Sequence, residues 1–168
     1  MTGCTSSSAR GIWDSAPLDA RLWRQADALV GGDKAWLIID DTALPKKGKA
    51  SVGVAPQYAT VLGKNANCQT LVSVTPGSGE VPVMLGLRLF LPESWTSDTA
   101  RMSRAAVTET FQAYRTKPDI AIAEIDRVIA AGVRFGCVLA DAGYGLSAPF
   151  RQALSACGLC WAVGISRH

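Results

Sequence analysis

The sequence is poor in histidine. Its one copy is the terminal residue, His168. Without further imidazoles, Cys157-Gly158-Leu159-Cys160 lacks the partners of a four-ligand zinc site. That spacing suits a redox pair or half a metal site; the simpler reading is two buried thiols where a helix turns into a strand. The five cysteines are odd in number and scattered through apolar stretches, which argues against a disulfide framework. Long apolar runs are missing too: none reaches the ~18 residues that a membrane helix needs. The first ten residues carry no apolar core of an export signal. A cytoplasmic chain without membrane contact is expected, with residues 1–14 as a disordered lead.

Acids are absent from two long tracts. Between Asp41 and Glu80 stand Lys46, Lys47, Lys49 and Lys64 and no acid; after Asp141 come Arg151 and Arg167 and again no acid. Basic flanks beside carboxylates suit a polyanionic substrate, although a solvated loop gives the same pattern. What is present is a globular composition. The 168 residues are 48% hydrophobic and 18% charged, enough for one domain with a real core. No internal repeat is visible.

Two stretches stand out. In Trp36-Leu37-Ile38-Ile39-Asp40-Asp41-Thr42, four large apolar residues end in two carboxylates. Such a run reads as a strand buried on both faces. Phe135-Gly136-Cys137-Val138-Leu139-Ala140-Asp141 repeats the arrangement, followed by Ala142-Gly143-Tyr144-Gly145. Tyr144 has two readings, a base-stacking ring or a lid on the core, and the lid is preferred.

In chain order, Ser15 and Pro17 open a helix whose stripe is Leu18, Leu22, Ala26, Leu29 and Val30, ended by Gly31-Gly32. Strand 35–40 follows, then a turn-rich segment 43–67, long for a loop and so expected to be functional or to carry small pieces of structure. Strands 68–75 and 81–91 form a hairpin. A polar helix is expected over 103–114. A stronger one starts at Pro118, with Ile122, Ile125, Val128 and Ile129 on one face, and Gly132 stops it. Strand 134–140, a helix capped by Ser147 and strand 159–165 complete the chain. A right-handed crossover lays strand 134–140 parallel to and beside strand 35–40. The result is a ribonuclease H-like mixed α/β sheet of order 3-2-1-4-5 with flanking helices.

Adjacent strands lie ~4.8 Å apart, so acids ending two neighbouring parallel strands can share one ion. Bare carboxylates that close repel, and a divalent cation removes the penalty. All-oxygen ligands favour Mg2+ or Mn2+ over zinc. Two such ions can clamp the attacking and leaving oxygens of a phosphodiester displacement. Asp40 and Asp41 point to opposite faces because strand side chains alternate; strand physics alone does not choose the ligand.

These residues resemble a known family. Ile39 to Lys49, then Ser51 to Tyr58, resemble the first catalytic motif of bacterial insertion-sequence transposases of the DDE endonuclease superfamily. Val138 to Gly145 resembles the second, and Gly63 to Gln69 is also similar. The resemblance implies a ribonuclease H-like fold and Mg2+- or Mn2+-dependent cleavage of DNA at the transposon end. The freed 3′ hydroxyl then attacks target DNA. It matches Asp41, the acid before Thr42, to the first catalytic and metal-binding aspartate, and Asp141 to the second. Lys46, Lys47, Lys49 and Lys64 are then expected on DNA phosphates, with homo-oligomers or an intact transposase as further partners. The family's third carboxylate is a glutamate on a helix well downstream, and no acid follows Asp141 here. Residues 15–168 are therefore expected to be a C-terminally incomplete catalytic domain of weak or lost activity. The alternative is a non-catalytic DNA-binding remnant that interferes with an intact transposase.

Overall fold

In the computed structural model, residues 15–165 are described. The expected lead 1–14, Arg167 and His168 lie outside them. Helix α1 (Ala16–Val30) has proline in its first turn. Ser15 makes no side-chain cap; its hydroxyl donates to Asp19 Oδ2 at 3.3 Å instead. The buried stripe is Trp23, Ala26 and Val30, whereas Leu18 and Leu29 are exposed. Trp23 sets the helix rotation: it is the largest apolar group available, and its indole N–H donates to the Leu85 carbonyl at 3.0 Å. Leu18 and Leu29 fall off that stripe.

The sheet contains β1 (Gly32–Pro45), β2 (Ala55–Ala59), β3 (Lys64–Ser78), β4 (Val81–Pro82), β5 (Gly86–Phe90), β6 (Phe135–Ala140) and β7 (Trp161–Val163). Its order is β2-β3-β1-β6-β7, with β4 and β5 also paired to β3. β1 runs antiparallel to β3 and parallel to β6, and β6 runs parallel to β7. The path β5-β3-β1-β6-β7 is the expected 3-2-1-4-5 order. This mixed sheet with flanking helices is compatible with a ribonuclease H-like fold.

Segment 43–67 carries the small pieces of structure expected of it, and about half of it is strand: β1 continues to Pro45, and β2 and the start of β3 pair beside it. Side-chain amides make this possible by satisfying the turn's carbonyls. Asn67 donates to Lys46 O and Gly48 O at 2.8 and 2.9 Å, and Gln69 donates to Val52 O at 2.7 Å. The helix expected over 103–114 is instead α3 (Thr99–Arg104) and a 3-10 turn at Glu109–Phe111, preceded by the short α2 (Glu93–Thr96). Ala106, in the left-handed region at φ 53°, breaks the path. The return strand is split into β4 and β5, and β7 is shorter than 159–165.

Helix α4 (Lys117–Ala130) begins with a capping box between Thr116 and Asp119. It buries Ile120, Ala121, Glu124, Ile125 and Val128, while Ile129 is exposed. Glu124 is buried because two guanidinium groups meet it: Arg88 at 2.7 Å and Arg127 at 2.9 Å. Helices α5 (Ala142–Gly145) and α6 (Ala148–Ala156) complete the set.

Trp23, Ile120, Ile125, Val128, Tyr144, Phe150 and Leu154 all pack on the sheet face carrying Leu37, Ile39, Val74 and Val138. Each fully buried Val, Leu, Ile or Phe side chain among them stabilises the fold by roughly 1.5–3 kcal/mol. The alternate positions of β1 face the other way: Trp36 is 45% exposed and Ile38 37%. That parity decides which strand-end acid lies on which side. Among the described residues, no helix is long and apolar enough to cross a membrane.

Asp27 at the end of α1 clasps Arg134 just before β6. Its carboxylate accepts from Arg134 N at 2.8 Å and from the guanidinium at 3.0–3.2 Å. These bonds from Arg134 hold the Asp27 carboxyl below its ordinary value. A lowered folded value means that the clasp's stabilisation is complete above the unfolded carboxylate range and lost as pH falls through the folded value. Thermal melts of wild type and Arg134→Ala should therefore differ at neutral pH and converge in acid, once the pH has fallen past the lowered folded value of Asp27.

Candidate active site

Both strand-end acids stand at the carboxyl edge of the parallel pair β1–β6, where open α/β sheets place their ligands. The register pairs Ile39 with Ala140. One step further along each strand come Asp40 and Asp141, ~4.8 Å apart as neighbouring backbone positions. They open onto one crevice, lined also by Ile38, Leu139, Ala162 and Gly164. Each has one engaged oxygen: Asp40 Oδ1 accepts from Asp41 N at 2.7 Å, and Asp141 Oδ1 accepts from Tyr144 N at 3.2 Å. The second bond makes Asp141 the N-cap of α5.

Asp41 shares the parity of Leu37 and Ile39 and turns to the helix-covered side. Tyr144 donates its hydroxyl to Asp41 Oδ1 at 2.5 Å, and Lys117 Nζ meets Asp41 Oδ2 at 2.5 Å. Tyr144 is 2% exposed and packs at a tilt against Phe150, so it is a lid on the core, as preferred, and also a buried donor. Burial, above all, and then the charge of Asp41 hold its phenol well above its ordinary range. Asp141 and Asp40 add to the same effect, so Tyr144 senses all three acids. The phenol thus stays protonated and donating.

The arrangement is continuous. Lys117 at the start of α4, Asp41 on β1, Tyr144 on α5 and Asp141 at its cap are joined side by side. Lys117 was missed from sequence, though a signal exists. A cation at a helix N-terminus opposes the helix dipole, so its charge needs a partner elsewhere. Arg151 also supports the turn, because its Nη1 donates to the Gly145 carbonyl.

The lysines lie elsewhere. β1 runs past its last pairing with β6 to Pro45, so Lys46 stands six residues, ~20 Å, beyond Asp40. Lys46, Lys47 and Lys49 follow the far end of the β1–β3 ladder, where the Arg101 guanidinium donates to Lys49 O at 3.0 Å, and Lys64 opens β3 four residues beyond Cys68, the ladder's last position. The structure brings Asp40 and Asp141 together, ties Asp41 behind them, and keeps the lysines apart as a separate basic tip. Among the described residues, no group of three or more His, Cys, Asp or Glu is arranged to hold a metal.

Residues 8–168 match the DDE superfamily endonuclease family. The chain belongs to that family. Over 114 residues it is 34% identical to a Microchaete diplosiphon protein described as a probable transposase for insertion sequence element IS701. The aligned part is 66% of this chain and 26% of that relative, so the DDE endonuclease chain spans about a quarter of the relative's length. No solved structure matches it. The two strand-end acids of this family member lie inside the matched region, as do Tyr144, Lys117 and the basic tip.

Proposed function

We propose that this chain carries part of the catalytic centre of a DNA transposase, with Asp40 and Asp141 as the divalent-ion ligands. The supporting observation is their shared crevice at the ends of adjacent parallel strands. Asp41, matched to the first catalytic aspartate by motif resemblance, serves the site from behind. Both of its oxygens are engaged, and it fixes the α5 turn that presents Asp141.

The crevice fits a hard cation. Among the described residues, each ligand keeps one carboxylate oxygen without a protein donor, and no sulfur or imidazole lines the crevice. Mg2+ is commonly held by one or two carboxylates, with water and substrate phosphate completing the shell. Bound there, the ion supplies Lewis-acid stabilisation of charge developing on a phosphodiester. The chain's own contribution is orientation. Tyr144 and Lys117 neutralise and hold Asp41, so the second strand-end turn keeps its shape when the crevice fills. With two carboxylates and no third acid grouped with them among the described residues, weak affinity and slow cleavage are expected.

Purified protein with supercoiled plasmid tests the reading. Slow nicking that requires Mg2+ or Mn2+ and stops with chelator is expected. Salt-sensitive binding without any nicking supports the second reading, a DNA-binding remnant that competes with an intact transposase for its DNA or its subunits. The basic tip supports that reading as much as the first. Replacing Lys46, Lys47 and Lys49 together by alanine should weaken binding evenly across sequences. The salt slope should fall by ~0.9 for each of these lysines that neutralises a phosphate, read by fluorescence anisotropy at several salt concentrations.

A further inference from the structure

The sequence pairs Cys160 with Cys157; the fold pairs it with Cys137. Cys157 ends α6 and Cys160 starts toward β7, and both are exposed rather than buried. Cys160 precedes Trp161, whose register partner is Val138, so Cys160 lies across from Cys137 on the adjacent parallel strand. Val138 N donates to Cys160 O at 2.8 Å, which fixes that placement. The two sulfurs are 3.1 Å apart, with Cys160 donating to Cys137. Both side chains lie on the sheet face that carries Ile38 and Leu139, away from the helices.

We propose that Cys137 and Cys160 form a dithiol site that closes to a disulfide by exchange with a small-molecule disulfide. Backbones of neighbouring strands, ~4.8 Å apart, already meet the 4.4–6.8 Å spacing that a disulfide requires. Side-chain rotation alone brings the sulfurs to bonding distance. The roles divide by exposure. Cys160, in contact with solvent, attacks as thiolate, forms a mixed disulfide and releases one thiolate of the reagent. Cys137 then attacks Cys160 Sγ and expels the second. Two cysteine thiols are oxidised, and one reagent disulfide is reduced to two thiols. Burial and the neighbouring Cys160 push the Cys137 thiol up to about 11, which suits it to the second, intramolecular step rather than the first. Two sulfurs alone do not complete a zinc shell, and no third ligand joins them among the described residues. The bond would staple β7, an edge strand of three residues, to the strand that presents Asp141.

The test uses the full chain and oxidised glutathione as reagent. After treatment, free thiols are alkylated and a non-reducing tryptic digest is weighed. Peptide 135–151 should appear joined to peptide 152–167, lighter than the sum by two hydrogens, with Cys157 alkylated. Cys157→Ser should keep the link and Cys160→Ser should abolish it. A link surviving Cys160→Ser overturns the proposal, as does a bridge within peptide 152–167. So does a product in which glutathione remains on Cys160 with Cys137 free, or in which neither thiol reacts.

Discussion

Replacing Asp40 or Asp141 by asparagine should abolish divalent-ion binding and metal-dependent nicking, while Asp41→Asn should keep the ion and lose stability. The two halves of this result come from one geometric fact. Along β1, side chains alternate, so adjacent acids cannot serve the same face. Asp40 falls on the side of Trp36 and Ile38 and shares a crevice with Asp141. Asp41 falls with Leu37 and Ile39 and is already saturated by Tyr144 and Lys117. Removing one of two charged ligands costs several kcal/mol of transition-state stabilisation, a drop in nicking rate on the order of 10²-fold or more. Asp41→Asn leaves an acceptor for Tyr144 and breaks a partly exposed ion pair, worth about 1 kcal/mol. Asp41→Ala also orphans a phenol that is 2% exposed, adding roughly 1–3 kcal/mol. Mn2+ titration calorimetry and thermal melts on the three asparagine variants separate the effects. If Asp41→Asn loses Mn2+ while Asp40→Asn retains it, the motif-based assignment to Asp41 holds and the crevice assignment fails.

The choice between Asp40 and Asp41 was invisible in the sequence for a specific reason. Trp36 to Ile39 is apolar at every position, so the run shows no alternation and hides its parity. Parity emerges only when α1, α4 and α6 cover one face and leave Trp36 and Ile38 half exposed. The sheet order was legible because it follows from element order and crossover handedness, which patterning does encode. The extent of β1, β2 and β3 was not. Their pairing through 43–67 depends on Asn67, Gln69 and Gln57 reaching carbonyls many residues away, as when Gln57 donates to Cys68 O at 3.0 Å. Lysine, glycine and proline in the same stretch spell a loop by local rules. Tertiary hydrogen bonding overrode them. The Cys137–Cys160 approach was hidden likewise, because it depends on register between strands that are distant in sequence.

A large structural effect is expected at Gly145. A Cβ there would sit 1.9 Å from Gly164 O, and one on Gly164 would sit 2.7 Å from Ala142 N. In both cases the obstacle is backbone, which cannot rotate aside. The α5 turn lies directly on the end of β7, and only glycine at both positions lets it. Gly145→Ala must lift that turn, and with it Tyr144 and the Asp141 cap. The overpacking should cost about 3 kcal/mol or more, a fall in melting midpoint near 10 °C. Gly48→Ala supplies the comparison. No atom lies within 4 Å of a Cβ there, and its melt should match wild type within ~0.5 kcal/mol. The folded fraction of Gly145→Ala should also bind Mn2+ more weakly than wild type, because the same displacement carries Asp141 away from Asp40. Calorimetry well below the midpoint reads that loss separately from unfolding. Unchanged Mn2+ affinity in the variant would mean that the turn does not position the second acid.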